Sequence, residues 1–260
     1  MLFLQAGAQN TFDQNRLPLQ HIKSGISQSS ATQIIEDKFG FIWIGTPNGV
    51  NKYDGTDFQL FEKSIDGVTG LTDGYVEIMY EDTEGNLYIG TNQGLNIYDR
   101  KSNVIKPYPF KEQGRVIQSE YIGAIGRSDN LLWLGTDNGL YRYDMSSGEA
   151  KELEFEQIYR EGPSNNYIVE VFTLANDRIL VITQASFYIL NKEMEVISES
   201  PKPLNISSAI TVGDSVFWLG AHTGDLIRLK IKNQVSFDTL EVVTNPGHSI
   251  LSLTLDIELG

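Results

Sequence analysis

Three tyrosines recur along the chain at a constant interval. Tyr75, Tyr121 and Tyr167 follow one another every 46 residues, each where a β-rich run begins. A phenol ring combines an apolar face with a polar tip, which suits stacking on a sugar ring. The equal spacing predicts one ring on each of three neighbouring structural units, as candidate ligand-binding residues. The alternative is that the same rings fill the hydrophobic layer between those units.

Two histidines are the other candidates for chemistry. His222 and His248 lie in loop-like segments, and such a pair near carboxylates could serve in acid–base catalysis. The remaining histidine, His21, lies in an expected N-terminal strand and is interpreted as structural. The chain has no cysteine, and two histidines lack a third ligand, so we predict neither a metal site nor a cofactor. The alternative is that both residues are ordinary surface histidines.

Composition excludes several classes of partner. The chain carries 20 Lys and Arg against 34 Asp and Glu, a formal net charge of −14. Such a surface repels nucleic acid, and direct contact with an anionic membrane is disfavoured for the same reason. Phosphate-binding glycine loops and nucleophile elbows are absent from the sequence. We therefore expect a small-molecule or oligosaccharide ligand, with no nucleic acid bound by this segment.

A repeat positions these residues. Residues 43–54, 88–99 and 133–144 align without gaps at a spacing of 45 residues, and weaker copies occupy 180–191 and 218–224. Each copy contains a short β-rich run, a glycine that permits close backbone approach, and a turn glycine suited to positive φ. We interpret the recurring residues as structural: Trp43, Gly45, Gly49, Tyr88, Gly90, Gly94, Trp133, Gly135, Gly139, Trp218 and Gly220.

Further strands before and after each copy complete the repeating unit. Four short strands in about 45 residues, without helical periodicity, are typical of a propeller blade. The sequence thus predicts an all-β β-propeller of four-stranded antiparallel blades. About five blades and flanking strands form an incomplete ring, which further blades of the same chain would extend.

The positions of the repeats set the expected bounds of each blade and of the flanking segments. Residues 1–8 resemble the remnant of a signal peptide, because an apolar stretch precedes small residues at a cleavage-like site. The propeller is expected over 17–260, beginning with an outer strand and ending within a sixth blade. The expected bounds are 17–24 for that strand, 30–64, 75–110, 121–156, 167–200 and 206–243 for the blades, and 249–260 for the start of the sixth.

The repeat resembles that of a known family. Asp-x-x-Gly-x-x-Trp-Ile-Gly-Thr-x-x-Gly-Val/Leu-x-x-Tyr-Asp, with the opening Gly25-Ile26-Ser27, is similar to the regulator-propeller repeat of hybrid two-component sensor histidine kinases. The resemblance implies a periplasmic sensor of polysaccharide-derived ligands, which signals to a histidine kinase in the parent chain. A dimer is one expectation for that parent. In the fourth copy, Ile182 and Ser186 replace two glycines, so its strand connection should differ.

A second function remains open. An exported propeller lyase or hydrolase could act on a glycan or cyclic peptide through His222, His248 and loop carboxylates. The type of repeat and the scarcity of catalytic groups favour a binding module, for which no enzymatic activity is expected in this segment.

Overall fold

The regular structure of the described chain consists entirely of β-strands. The structure, a computed structural model, describes residues 25–117, 120–156, 162–200, 205–213, 215–232, 236–243, 248–251 and 253. None of these residues belongs to a helix that could cross a membrane. The expected signal remnant at 1–8, the outer strand at 17–24 and His21 lie outside the described residues.

The strands form five successive antiparallel sheets, each beginning with its innermost strand. The first sheet comprises β1 (Gln33–Glu36), β2 (Ile42–Thr46), β3 (Gly49–Tyr53) and β4 (Phe58–Phe61). The second comprises β5 (Val76–Glu81), β6 (Leu87–Thr91), β7 (Gly94–Asp99) and β8 (Val104–Pro107). An added hairpin, β9 (Phe110–Glu112) and β10 (Arg115–Ile117), precedes the third sheet.

The remaining sheets repeat the same order. The third comprises β11 (Ala124–Ser128), β12 (Leu131–Gly135), β13 (Leu140–Asp144) and β14 (Glu149–Leu153). The fourth comprises β15 (Ile168–Leu174), β16 (Arg178–Thr183), β17 (Phe187–Leu190) and β18 (Val196–Glu199). The fifth comprises β19 (Ile206–Val212), β20 (Val216–Ala221), β21 (Leu226–Lys232) and β22 (Ser236–Val243).

The sheets are arranged as blades around an axis. The innermost strands β1, β5, β11, β15 and β19 contact one another in that order. No strand pairing among the described residues joins the first sheet to the fifth, so this part of the chain does not close a ring. The prediction of a β-propeller with four-stranded antiparallel blades is confirmed.

Aromatic side chains on the second strands pack between blades. Trp43 on β2 is fully buried against Phe61 and against Tyr98 of the next blade, with ring centroids 5.9 and 4.7 Å away. Tyr88 and Trp133 are equally buried on β6 and β12. Trp218 on β20 is only half-buried, and the Arg228 guanidinium lies over its ring. These large rings supply the apolar burial that holds neighbouring sheets together.

The hairpin β9–β10 is a feature that the repeat does not predict. Strand β9 pairs in parallel with β14, so the third sheet has six strands in the order β10-β9-β14-β13-β12-β11. Phe110 of β9 is buried 5.3 Å from the Tyr141 ring, between centroids. Gln113 and Gly114 both have positive φ and form the tight turn. The local signal was a Gln-Gly pair between two short runs that contain Phe110 and Val116.

The last described residues continue the blade pattern through backbone contacts. Ile250 donates its amide hydrogen to the Ala221 carbonyl at 3.1 Å and lies beside Gly220. Ile122 and Ile168 make the equivalent bond to Thr91 and Thr136 at the two preceding glycine-bearing blades. Residues 248–251 and 253 have no strand assignment, and the rest of the expected sixth-blade start lies outside the described residues.

Candidate functional site

Two of the three spaced tyrosines meet. The hydroxyl oxygens of Tyr121 and Tyr167 are 2.8 Å apart, and their ring centroids are separated by 5.7 Å at an angle of 40°. The Tyr121 hydroxyl is near enough to the Glu77 carboxyl to lower the pKa of that carboxyl. Burial, followed by the bond with Tyr167, raises the pKa of Tyr121. The equal spacing therefore places these two rings on adjacent blades, within reach of each other.

Tyr75 stands apart from this pair. Its side chain is 39% exposed, and its backbone is held by a bond from its amide to Asp73 Oδ1 and by the Asn92 amide. It has no contact with the other two tyrosine rings among the described residues. All three tyrosines lie before their inner strands rather than in them, since these strands begin at Val76, Ala124 and Ile168.

The structure also places the two histidine loops together. His222 lies in the turn between β20 and β21, and its carbonyl accepts a hydrogen bond from Ser249 Oγ at 2.8 Å. His248 directly precedes Ser249 in the chain and therefore lies close to this turn. Both histidines are exposed, and neither imidazole has a hydrogen bond or an ion pair within the described ranges. No metal-ligand group of three or more acidic or histidine side chains occurs in those ranges either.

A cavity of about 780 Å³ runs between the innermost strands. Its polar lining comes from different blades: Gln33 of β1, Glu77 of β5, Glu170 of β15, and Ser207 and Ser208 of β19. Ala31, Thr32 and Ile34 of the first blade also line the cavity, as do Leu251 and Leu253, which follow the fifth blade in the chain. The residues that line the cavity include two glutamates and no lysine, arginine or histidine.

Three β-bulges shape the rim of this cavity. The inner strands shift register between Val76 and Ile78, between Ile168 and Glu170, and between Ile206 and Ser208. A bulge leaves one residue out of the ladder and redirects the side chains around it. In consecutive blades from the second to the fifth, the residue after the first apolar position is Glu77, Gly123, Val169 and Ser207.

Burial perturbs both carboxyl groups of the cavity. It raises the pKa of Glu170 from 4.5 to about 7, although the Val171 amide donates a hydrogen bond to Glu170 Oε1 at 3.0 Å. Burial also raises the pKa of Glu77, and the Tyr121 hydroxyl partly offsets that effect. The sequence analysis missed both residues. Their signal was that they occupy positions that differ from blade to blade, while the flanking residues repeat.

Two buried asparagines form a repeated structural network that sequence reasoning also missed. Asn51 Oδ1 accepts the Ser27 amide at 2.9 Å, and Asn51 Nδ2 donates to Ser27 Oγ at 2.8 Å. Asn96 makes the same two bonds to Thr72, at 2.8 and 3.0 Å. A fully buried amide needs such partners. The bonds fasten the Gly-x-Ser and Gly-x-Thr segments, which precede the first strands of these two blades and are their entries, to the third strand of the same blade. Tyr141 replaces this asparagine in the third blade.

Ion pairs join the first three blades near the turns between their first and second strands. Arg100 donates to Asp37 Oδ2 at 2.9 Å and to Glu81 Oε1 at 2.8 Å, and Arg127 bonds to Asp82 and Glu84. Burial alone would raise the pKa of Asp37, but hydrogen bonds from Trp43 and Arg100 outweigh it and lower the pKa. Buried carboxylates at this end are thus paired with arginine, unlike those of the cavity.

Known proteins share both the repeat and the fold. The family model described as "Two component regulator propeller" matches residues 25–48 and 70–93, each match beginning at the Gly of a fastened entry. Histidine kinase P4 of Formosa agariphila is 40% identical over 48 residues, which are 18% of this chain and 4% of that protein.

Solved structures extend the comparison to most of the chain. The extracellular domain of a hybrid two component system from B. thetaiotaomicron superposes with a TM-score of 0.67 at 21% identity, covering 85% of this chain and 31% of that one. Virginiamycin B lyase from Staphylococcus aureus superposes with a TM-score of 0.59 at 14% identity, covering 80% and 68%. The chain therefore spans about a third of that extracellular domain and 4% of the Formosa histidine kinase. Two segments, in the first and second blades, thus match the two-component regulator propeller repeat, and the five four-stranded blades share the propeller fold.

Proposed function

We propose that this chain is the N-terminal part of the periplasmic ligand-sensing propeller of a hybrid two-component regulator. It recognises a polysaccharide-derived ligand and signals to a histidine kinase in the same parent protein. The matched repeats and the extracellular two-component domain of the same fold support this assignment.

The observation that carries the proposal is the tyrosine pair beside the cavity. Tyr121 and Tyr167 lie on adjacent blades with their hydroxyl oxygens 2.8 Å apart, and the Tyr121 hydroxyl lies near Glu77 of the cavity wall. Ligand sites favour such concave places, where rings offer apolar area and a few polar groups set orientation. The exposed Tyr75 adds a third ring on the second blade, where a longer ligand would reach it.

The exported-enzyme alternative has less support. A catalytic base is usually oriented by a hydrogen-bonding partner, whereas the exposed His222 and His248 imidazoles have none among the described residues. The fold is shared with a lyase, yet one fold hosts many functions and does not by itself imply catalysis.

Calorimetry of the complete protein with neutral polysaccharide fragments tests the proposal. Each lost stacking contact should cost on the order of 1 kcal/mol beyond area burial, so Tyr121→Ala/Tyr167→Ala should weaken binding by tens of fold. Tyr53→Ala is the matched control, because Tyr53 stacks on Phe58 beside the outer strand of the first blade. Unchanged affinity in a folded double variant would return the pair to a packing role.

Autophosphorylation of the parent kinase gives the second readout. Fragments that bind should change it in the wild type, and the double variant should shift the response to tens-of-fold higher ligand concentration. Binding without any change in autophosphorylation would contradict the signalling part of the proposal.

A further inference from the structure

We propose that Gly123 is a positioning residue of the ligand site, because it leaves the space in the cavity wall that the Tyr121 ring fills. The inference rests on the proposed function for the ligand, and it assigns the residue that decides where one of the two stacking rings lies. The placement of the ring can be tested without any ligand.

Gly123 occupies a position of the repeat that belongs to the cavity wall. The equivalent residues of the second, fourth and fifth blades are Glu77, Val169 and Ser207, each directly after the first apolar residue of its inner segment. All four residues line the cavity. The third blade therefore contributes no side chain of its own at the position where its neighbours contribute a carboxyl, an isopropyl and a hydroxyl group.

The ring of Tyr121 takes the place of this missing side chain. A Cβ at Gly123 would lie 2.6 Å from the Tyr121 hydroxyl oxygen and 2.6 Å from its ring atom Cε1. Non-bonded atoms pack favourably at about 3.5–4.0 Å, so these separations would be strongly repulsive. Any side chain at this position would have to displace the ring of the tyrosine two residues earlier.

Neither the backbone nor the packing between blades requires this glycine. Gly123 does not adopt the left-handed φ that favours glycine, and its amide donates to the Gly135 carbonyl at 3.0 Å. A Cβ at Gly135 would meet first the side chain of Ile168 in the next blade. At Gly123, by contrast, the three nearest atoms all belong to Tyr121. The glycine thus accommodates the tyrosine ring.

The other two spaced tyrosines lack a glycine at this distance. Glu77 follows Tyr75 by two residues, and Val169 follows Tyr167 in the same way. Tyr75 remains 39% exposed. The Tyr121 hydroxyl instead lies 2.8 Å from that of Tyr167 in the next blade and near the Glu77 carboxyl of the preceding blade. The residue two positions after each tyrosine therefore distinguishes rings that have equal spacing in the sequence.

Urea unfolding of the complete protein tests the placement of the ring. Gly123→Ala should lower the unfolding midpoint when Tyr121 is present, because the added methyl group displaces the ring. In the Tyr121→Ala background the same exchange should leave the midpoint unchanged or raise it, since alanine restricts the unfolded chain. If Tyr121→Ala does not fold, Tyr121→Ser supplies the background. Gly74→Ala is the matched control: a Cβ there meets nothing nearer than 3.6 Å, so its effect should be equal in both backgrounds.

Calorimetry with neutral polysaccharide fragments provides the readout at the ligand site. Gly123→Ala should weaken their binding roughly fivefold when Tyr121 is present, which is the loss expected for one stacking contact. It should have no further effect on affinity in the Tyr121→Ala background. A glycine with a purely structural role would lower stability without this dependence of affinity on Tyr121.

The outcomes separate this inference from the proposed function. An equal loss of stability for Gly123→Ala with and without Tyr121 would overturn the placement of the ring. Unchanged affinity of folded Gly123→Ala for fragments that bind the wild type would overturn its role at the ligand site. If no fragment binds the wild type while the stability effect still depends on Tyr121, the sensor proposal is overturned and the placement of the ring is supported.

Discussion

The second and fourth blades fill the space beside the next blade differently at one position of the second strand. In the second blade Gly90 pairs with Ile78 across β5 and β6, and Ile122 of the next blade occupies the space beside the glycine. In the fourth blade Ile182 pairs with Glu170 at the equivalent position. Ile182 is fully buried in the cluster that contains Ile206 of the next blade. The apolar volume is supplied by the next blade in one case and by the blade itself in the other.

The backbone hydrogen bond to the next blade also differs where isoleucine replaces glycine. Ile122 donates its amide hydrogen to the carbonyl of Thr91, directly after the glycine. Ile206 donates instead to Gln184, two residues after Ile182. The added side chain is therefore accommodated by a shift of one residue in the docking of the next inner strand. The propeller tolerates loss of its repeat glycine because the interface between blades can move.

The turn of the fourth blade shows a second substitution. Ser186 does not need the positive φ that Gly94 adopts, because the Thr183 hydroxyl donates to the Ser186 carbonyl at 2.9 Å and accepts the Ser186 amide at 2.8 Å. The Thr91 hydroxyl makes the corresponding bond to the Gly94 carbonyl at 3.0 Å. A threonine hydroxyl thus holds the turn in both blades, with glycine required only where φ is positive.

Truncation of Ile182 should give the largest effect of the comparison. Ile182→Ala removes a fully buried side chain from the fourth–fifth blade interface, so we expect a loss of about 2–4 kcal/mol in unfolding free energy. Urea unfolding of the complete protein measures it. Val196→Ala, at an exposed position in the same blade, should change little. A loss below 1 kcal/mol for Ile182→Ala would show that Ile206 fills the space unaided.

The reverse exchange in the second blade should cost somewhat less. A Cβ at Gly90 would overlap the Ile122 carbonyl oxygen and the Ile78 side chain, so Gly90→Ala should destabilise by about 1–3 kcal/mol. Gly74→Ala is the control, because a Cβ there meets only ordinary contacts, the nearest at 3.6 Å. Equal stability of the two variants in urea unfolding would contradict the steric role of Gly90.

The smallest expected effect concerns Glu170, the residue opposite Ile182. Its pKa of about 7 in the folded protein exceeds the ordinary 4.5, so the folded state holds its proton more tightly than the unfolded chain. Its contribution to stability is present below pH 4.5 and is lost as the pH rises through 7. Glu170→Gln should therefore stabilise by on the order of 1–2 kcal/mol at pH 8, discounted for residual solvent contact, and by a few tenths at pH 5.

Thermal unfolding of wild type and Glu170→Gln at the two pH values measures this difference. Burial also raises the pKa of Glu77, so its ionisation should lower stability at high pH in the same way. Glu77→Gln is therefore the companion variant. A Glu170→Gln gain that is equal at both pH values would contradict the burial of an unpaired carboxyl. A gain at pH 8 alone would mean that this blade retains a carboxyl that weakens the fold, as expected of a functional group.

The sequence alone determined the blades and their order. A repeat of about 45 residues records local requirements, such as a turn glycine with positive φ or a tryptophan between sheets, and these recur wherever the same contact recurs. Turn residues and the alternation of side chains along a strand depend on a few neighbouring residues, so both can be recognised in the sequence alone. The bonds that fasten Ser27 and Thr72 could also have been predicted, because their partners Asn51 and Asn96 occupy the same position of the repeat.

Only the tertiary structure decided which of the non-repeating residues meet. Tyr75, Tyr121 and Tyr167 have equal spacing, yet only the last two are in contact, because the loop before each inner strand sets the position of the ring. Glu77 and Glu170 are 93 positions apart in the chain and share a cavity only because five inner strands curve around one axis. The register shifts of those strands depend on packing between blades, which no local pattern encodes.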